Sequence, residues 1–225
     1  MIGRNLGRGL CGLGMALAAQ MAMAATVSFE YNQLITDTSV APAGGDPWVT
    51  ATFDDHGGTG LVTLTIDASA MTGAQENIQR VFFNLDDAFD PSALSFSYVG
   101  GSGDPAVAIN TGSNCCMATN GGYFDIDLGF GNGFGFDAGE TVSYDISLAG
   151  ISAESFFGYS ASGGSGGTYV SVIHVQGTGP LGADSAWIAG FNTLEPPSEV
   201  PVPAAVWLFG SGLIALGGLA GRRQA

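Results

Sequence analysis

The sequence contains no lysine and very little positive charge. Its 5 basic residues are all arginine, and they face 20 aspartates and glutamates. Arg80 is the only basic residue between Glu30 and Glu199, the range that holds every acidic residue, so one arginine minus twenty carboxylates gives this range a net charge of −19. The composition excludes nucleic-acid binding, because phosphate contacts need lysine and arginine. Binding of anionic lipid or anionic polysaccharide would need a bridging cation.

The excess of carboxylates has two interpretations. An acidic surface rich in glycine, serine and threonine keeps a protein soluble and monomeric. The same carboxylates suit divalent cations, which are abundant outside the cell. Asp86, Asp87 and Asp90 follow a predicted strand and, together with Asn84, offer oxygen ligands at a spacing that suits Ca²⁺. Calcium is the one cofactor that the sequence suggests.

Cysteine and histidine are also scarce. Cys115 and Cys116 are the only cysteines outside the N-terminal segment, and in an oxidising compartment they form either a vicinal disulfide or two free thiols. A metal site on this pair would need further Cys or His ligands close by, and the neighbouring sequence has none. His56 lies in a glycine-rich turn and His174 in a strand that is apolar on both faces. Neither belongs to a catalytic motif, so no enzymatic activity is expected.

Residues 1–24 are typical of a secretory signal peptide. Arg4 and Arg8 precede an apolar segment, and Ala22 and Ala24 supply small residues at the two positions that signal peptidase needs. We therefore expect cleavage after Ala24 and export of the chain that follows.

The segment 200–225 combines prolines, an apolar run and arginines. Pro201 and Pro203 cannot lie inside a regular helix, so they mark its outer boundary. Residues 204–220 carry no charge, and a run of this length is near the lower limit of about 17 to 25 residues for a membrane-spanning helix. Arg222 and Arg223 follow, and the positive-inside rule places them in the cytoplasm.

This order of features resembles the PEP-CTERM sorting signal of Gram-negative bacteria, in which a Pro-Glu-Pro motif or a variant precedes an apolar span and a basic cluster. Val202 stands here in place of the glutamate. The sorting signal comprises Val200, Pro201, Val202, Pro203, Trp207, Arg222 and Arg223. The resemblance implies that an exosortase-like membrane enzyme removes the span. The protein would be anchored in the inner membrane before processing, and afterwards lie at the cell surface or outside the cell.

The sequence between the two ends predicts an all-β fold. Stretches such as Val62–Asp67 and Val142–Leu148 alternate apolar and polar residues, as strands with one buried face do. The ten predicted strands are 27–31, 48–53, 62–67, 81–85, 94–99, 106–109, 124–130, 142–148, 169–175 and 186–191. Phe-rich strands joined by Gly-rich turns favour an antiparallel, jelly-roll-like β-sandwich. A signal helix and a transmembrane helix are expected to flank it, and only 69–79 and 152–156 show helical character within it.

The chain therefore divides into four parts. Residues 1–24 form the signal peptide, and residues 25–194 form the β-sandwich ectodomain. Residues 195–199 form a proline-rich linker, and residues 200–225 form the sorting segment. Several ectodomain phrases also resemble those of other PEP-CTERM proteins, which implies a shared fold and carries over no activity. These phrases are 47–53, 81–86, 174–177 and 185–188.

Three functions fit this organisation. The favoured one is an exported, non-catalytic protein of the cell surface or of an exopolysaccharide matrix. The second is a carbohydrate-binding module, with or without stabilising Ca²⁺, that uses exposed aromatics such as Tyr159, Tyr169 or Trp187. The third is a polysaccharide hydrolase built on Asp125 and Asp127, which one strand places about 7 Å apart, a separation that suits an inverting mechanism. These two aspartates otherwise belong to the solvated face of a half-buried strand.

Overall fold

The computed structural model describes residues 24–36, 38–131, 133, 135–163 and 167–193. The predicted linker, the sorting signal and nearly all of the signal peptide lie outside these residues, so their predictions stay predictions. Among the described residues, no helix is both long enough and apolar enough to cross a membrane.

The fold is all-β and antiparallel, as the alternating sequence predicts. Its strands are β1 (Thr26–Leu34), β2 (Val49–Asp54), β3 (Leu61–Asp67), β4 (Asn77–Phe83), β5 (Ser95–Gly101), β6 (Ala108–Ala118), β7 (Gly122–Gly129), β8 (Thr141–Ser147), β9 (Ser171–Thr178) and β10 (Asp184–Thr193). Each of the ten predicted strands overlaps one of these. They form one sheet in the order β5-β8-β3-β2-β1-β10-β9-β4-β7-β6.

The sheet curls so that one face encloses the core. Strands β2 and β4 are four positions apart, which in a flat sheet would separate them by about 19 Å. Phe53 of β2 and Phe83 of β4 nevertheless pack edge to face with their ring centroids 5.0 Å apart. Phe156 stacks on Phe53 at 4.3 Å. The alternation in β3, where Val62, Leu64 and Ile66 are buried, supplies the same core.

A second apolar cluster lies on the opposite face of the sheet. It contains Phe82, Cys116, Ala118, Phe124 and Val172, with Ile35, Tyr169 and Trp187 packed against it. Strand β4 therefore buries both of its faces, because Val81 and Phe83 belong to the main core while Phe82 belongs to this cluster.

The predicted helix over 69–79 is wrong. Residues 69–76 contain two turns and the isolated β-bridge of Met71 with Gly44, and β4 already begins at Asn77. The Glu76 carboxylate accepts the backbone N–H groups of Ala43 at 2.7 Å and Gly73 at 3.1 Å, which fixes the chain in a turn. The other expected helical stretch is present as the short 3₁₀ helix Ala153–Phe156. A second 3₁₀ helix, Pro91–Ala93, is capped by Asp90.

Strand β6 is much longer than the predicted stretch 106–109, and it contains a large bulge. Thr111 pairs with Ile126, whereas Cys116 pairs with Phe124. Residues 112–115 therefore stand opposite the single residue Asp125, and Asn114 adopts a positive φ of 50° within the bulge. Asn114 of this bulge lines one of the three surface depressions described below, and Cys115 lines another.

Candidate functional site

Four aromatic side chains meet at one surface depression, which we call the aromatic cleft. They are Phe157, Tyr159, Tyr169 and Phe191, and the depression has a volume of about 260 Å³. Tyr159 is 67% exposed and Phe157 is 43% exposed. Their rings lie 6.3 Å apart at 60°, so the two faces point in different directions. The cleft presents apolar ring surface to solvent although the chain has a large core in which to bury such rings.

The segment that carries Phe157 and Tyr159 is fixed at both of its ends. It leaves the 3₁₀ helix at Phe157, whose N–H donates to the carbonyl of Glu154 at 3.1 Å. It ends at Ser160, whose N–H donates to the carbonyl of Tyr169 at 2.8 Å. These bonds place Tyr159 opposite the start of β9 and the end of β10.

Polar groups extend the aromatic cleft on one side. A depression of about 420 Å³ shares Phe157 and Tyr159 with it and is also lined by Asn84, Leu85, Asp86, Asp87, Asn114, Asp125, Gly158 and Ala161. The Asn84 amide donates to the carbonyl of Gly158 at 3.1 Å. Carboxylates, amides and ring faces therefore lie side by side around the segment 157–159.

Asp125 is a structural acceptor in this region. It is buried, and its two carboxylate oxygens accept the backbone N–H groups of Leu85 at 3.1 Å and Asn114 at 2.7 Å. These bonds tie Leu85, two residues after the end of β4, to the bulge 112–115. The alternating pattern predicts that Asp125 lies on a solvated face, but the residue is buried and accepts hydrogen bonds from two backbone donors.

The three aspartates predicted to bind Ca²⁺ are exposed and mostly engaged in turns. Asp86 accepts the N–H of Ala88 at 2.8 Å. Asp90 accepts both the N–H and the hydroxyl of Ser92, and these hydrogen bonds lower the pKa of Asp90. Asp86 and Asp87 line the polar depression together. Within the described part of the chain, no group of three His, Cys, Asp or Glu side chains is arranged to hold a metal ion.

A third depression, which we call the disulfide groove, is lined by Cys115 of the bulge and by its neighbour Cys116. Cys115 and Cys116 are joined by a disulfide bond. The groove has a volume of about 630 Å³ and is lined by Arg80, Ile109, Asn110, Thr111, Cys115, Cys116, Met117 and Asp127. Cys115 is exposed, whereas Cys116 is only 6% exposed because it packs in the second apolar cluster.

One wall of the disulfide groove is a hydrogen-bonded ion pair. Arg80 donates through Nε to Asp127 at 2.9 Å and also through Nη2 to the same carboxylate. Asn110 donates to Asp127 at 3.0 Å. The Asp127 side chain is 1% exposed and that of Arg80 is 41% exposed. The Arg80 guanidinium also lies 4.8 Å from the centre of the Phe82 ring. Asp127 is therefore neither solvated nor unpartnered.

The two histidines occupy different settings. His56 sits in a turn at a positive φ of 52°, and its ring shares a hydrogen bond with Thr63 at 2.9 Å. His174 stacks on Trp187 with the ring centroids 4.3 Å apart. Burial, and secondarily the charge of Arg80, lower the pKa of His174. Trp187 is half-buried in the second cluster and lies outside the aromatic cleft, unlike Tyr159 and Tyr169.

The comparisons with known proteins add no relative from which a role could be transferred. The chain matches no protein-family model, no curated protein and no solved structure.

Proposed function

We propose that this chain is an exported, non-catalytic protein of the cell surface or extracellular matrix, and that it binds matrix polysaccharide in the aromatic cleft. Its delivery would depend on signal peptidase at Ala24 and on an exosortase-like enzyme acting at the segment 200–225. The curled sheet would be a jelly-roll-like sandwich between a signal helix and a transmembrane helix before processing.

The observation that carries the binding proposal is the convergence of exposed rings in one cleft. Ring faces pack against the C–H faces of sugars, while tyrosine hydroxyls and nearby amides supply hydrogen bonds. Asn84 and the carboxylates of Asp86 and Asp87 border the rings on one side. The net charge of −19 would repel an anionic chain, so the proposed ligand is a neutral polysaccharide.

The hydrolase alternative gains no support from the geometry. Asp125 binds two backbone N–H groups, and Asp127 is engaged by Arg80 and Asn110. A general acid or base must reach the substrate proton within hydrogen-bonding distance, and both carboxylates are buried behind their partners. The exposed aromatic rings suit binding without bond cleavage.

The binding proposal is tested by affinity electrophoresis of the full chain through gels that contain neutral glucans or galactans. Replacement of Tyr159 by alanine should raise the dissociation constant about tenfold, which corresponds to about 1.4 kcal/mol and is close to what burial of a large apolar side chain contributes. Leu181→Ala is the matched control, because Leu181 is also exposed and does not line the cleft. Equal mobility of Tyr159→Ala and the parent in every retarding gel would contradict the assignment of the cleft.

The sorting proposal is tested separately by intact mass of the protein from cells and from the medium. We expect a mass that lacks residues 1–24 and everything from about Pro203 onward, with any added mass revealing an attached acceptor or glycan. A mature protein that retains Arg222 and Arg223 would contradict sorting and indicate a permanent anchor.

A further inference from the structure

The Cys115–Cys116 disulfide contributes little to holding the fold together. A disulfide stabilises chiefly by closing a loop in the unfolded chain, and the effect grows with the length of that loop. Here the two cysteines are adjacent in sequence, so no loop is closed. The bulge that contains Cys115 is already fixed by the 2.7 Å bond from the Asn114 N–H to Asp125 and by β6–β7 pairing on both sides.

The two cysteine residues differ in their exposure. Cys115 is exposed at the edge of the disulfide groove, whereas Cys116 is 6% exposed and packs with Phe82 and Phe124. Thiol–disulfide exchange requires that a thiolate reach one sulfur and that the other sulfur leave. The fold therefore presents Cys115 as the sulfur that is attacked and Cys116 as the leaving group.

The local charge permits the approach of a thiolate despite the acidity of the domain. Asp127 is the only acidic residue that lines the groove, and Arg80 neutralises it. Arg80 is the single cation between Glu30 and Glu199, and it lies in the same groove as the disulfide.

We propose that the disulfide groove is a thiol–disulfide exchange site whose co-substrate is an exported dithiol. A thiolate of the dithiol attacks the Cys115 sulfur, the Cys115–Cys116 bond breaks, and a mixed disulfide forms while Cys116 leaves as a thiolate and takes a proton from water. The second thiol of the dithiol then attacks the other sulfur of the dithiol, which is bonded to Cys115 in the mixed disulfide. This attack closes the disulfide of the dithiol and releases Cys115. Two electrons and two protons pass from the dithiol, which becomes a disulfide, to the cysteine pair.

This proposal does not depend on saccharide binding, because the aromatic cleft and the disulfide groove share no lining residue. The exchange should also leave the sheet intact, since the carboxylate bonds of Asp125 and Asp127 that hold the bulge and the groove do not involve the disulfide. The domain would then accept or donate electrons without unfolding.

The test uses the full chain isolated without reductant. The folded protein is treated with dithiothreitol, alkylated with iodoacetamide and mapped as chymotryptic peptides, which separate this pair from Cys11. In buffer without denaturant, we expect no alkylation of Cys115 or Cys116 before reduction. After reduction, we expect rapid alkylation of the exposed Cys115 and slower alkylation of the buried Cys116. Alkylation before reduction would show that the disulfide is not formed. Protection from dithiothreitol until the protein is denatured would show that it is not exchangeable, and either result overturns the proposal.

Two serine variants test the direction of attack. Cys116→Ser leaves the exposed Cys115 and Cys115→Ser leaves the buried Cys116, so each is the matched control of the other. Cys115 should react with dithiobis(nitrobenzoate) at least about tenfold faster, since thiol exchange depends on access. Cys115→Ser should unfold in urea at nearly the midpoint of the oxidised parent, whereas Cys116→Ser should lose more stability because it places a hydroxyl in the apolar cluster of Phe82 and Phe124. Equal reactivity of the two thiols, or a large loss of stability in both variants, would refute the assignment.

Discussion

The Arg80–Asp127 pair should contribute a stability that is large for an ion pair on the outer face of a sheet. Asp127 is 1% exposed and accepts from Arg80 Nε, Arg80 Nη2 and Asn110. Asp127→Ala removes the acceptor of all three donors. The Arg80 side chain is then left without its partner, but it is 41% exposed and its guanidinium can be hydrated by water.

The size of the expected stability loss follows from the different exposure of the two side chains. Removing one partner of a fully buried pair costs about 3–5 kcal/mol, whereas an exposed pair contributes about 0–1 kcal/mol. With one partner buried and the other partly hydrated, we expect Asp127→Ala to lower the free energy of unfolding by about 2–3 kcal/mol. The measurement is urea unfolding followed by tryptophan fluorescence, in which the midpoint should fall while the slope stays constant.

Two further variants decide whether the reasoning holds. Asp87→Ala is the control, because Asp87 is an exposed aspartate and surface substitutions change stability by no more than about 0.5 kcal/mol. Arg80→Met combined with Asp127→Leu should recover part of the loss, since apolar groups of similar size replace buried ion pairs well. The reasoning is refuted if Asp127→Ala and Asp87→Ala unfold at the same urea concentration.

Three more predictions concern pH and backbone geometry. Burial raises the pKa of Tyr31, so the unfolded chain loses this proton at a lower pH than the folded chain does. Stability should therefore fall as pH rises through about 10. Urea midpoints measured from pH 8 to 11 should fall less in Tyr31→Phe than in the parent. The pKa of His174 is lowered, so the unfolded chain binds this proton at a higher pH than the folded chain does. Stability should therefore fall as pH drops below about 6.5. A His174→Gln variant that loses as much stability at acid pH as the parent would contradict this. Gly177→Ala should destabilise more than Gly139→Ala in thermal unfolding. Both glycines have positive φ, but a methyl group at Gly177 would meet the Gln75 carbonyl, whereas one at Gly139 would meet nothing within 4 Å. Equal melting temperatures of the two variants would contradict a steric cause.

The strands could be predicted because their signal is local. In Val62–Asp67 every second residue is apolar, and each of those residues is buried in the core. The bulge could not be predicted in the same way. The stretch around Asn114 is rich in Asn, Gly and Ser, which also favour loops. It lies within a strand because β7 pairs with it on both sides and Asp125 binds its backbone.

The polar residues of β7 show why side-chain roles were harder to infer than strands. Asp125 and Asp127 alternate with apolar neighbours, a pattern that also fits a solvated face. What buries them is distant in sequence, since Arg80 lies 47 residues before Asp127 and Leu85 lies 40 residues before Asp125. Local alternation carries no information about such partners, so an aspartate bound by an arginine from another strand has the same pattern as an exposed one.

The packing of the core determines the position of the aromatic cleft. Phe156 is fully buried and stacks on Phe53, while the next residue, Phe157, is 43% exposed. Because the short 3₁₀ helix ends at this point, the packing of Phe156 determines where Phe157 leaves the helix. The bonds of Ser160 then determine the position of Tyr159. A ring surface held in this way loses little conformational freedom when a ligand packs on it, and that is the condition under which a shallow cleft can bind a flexible polysaccharide.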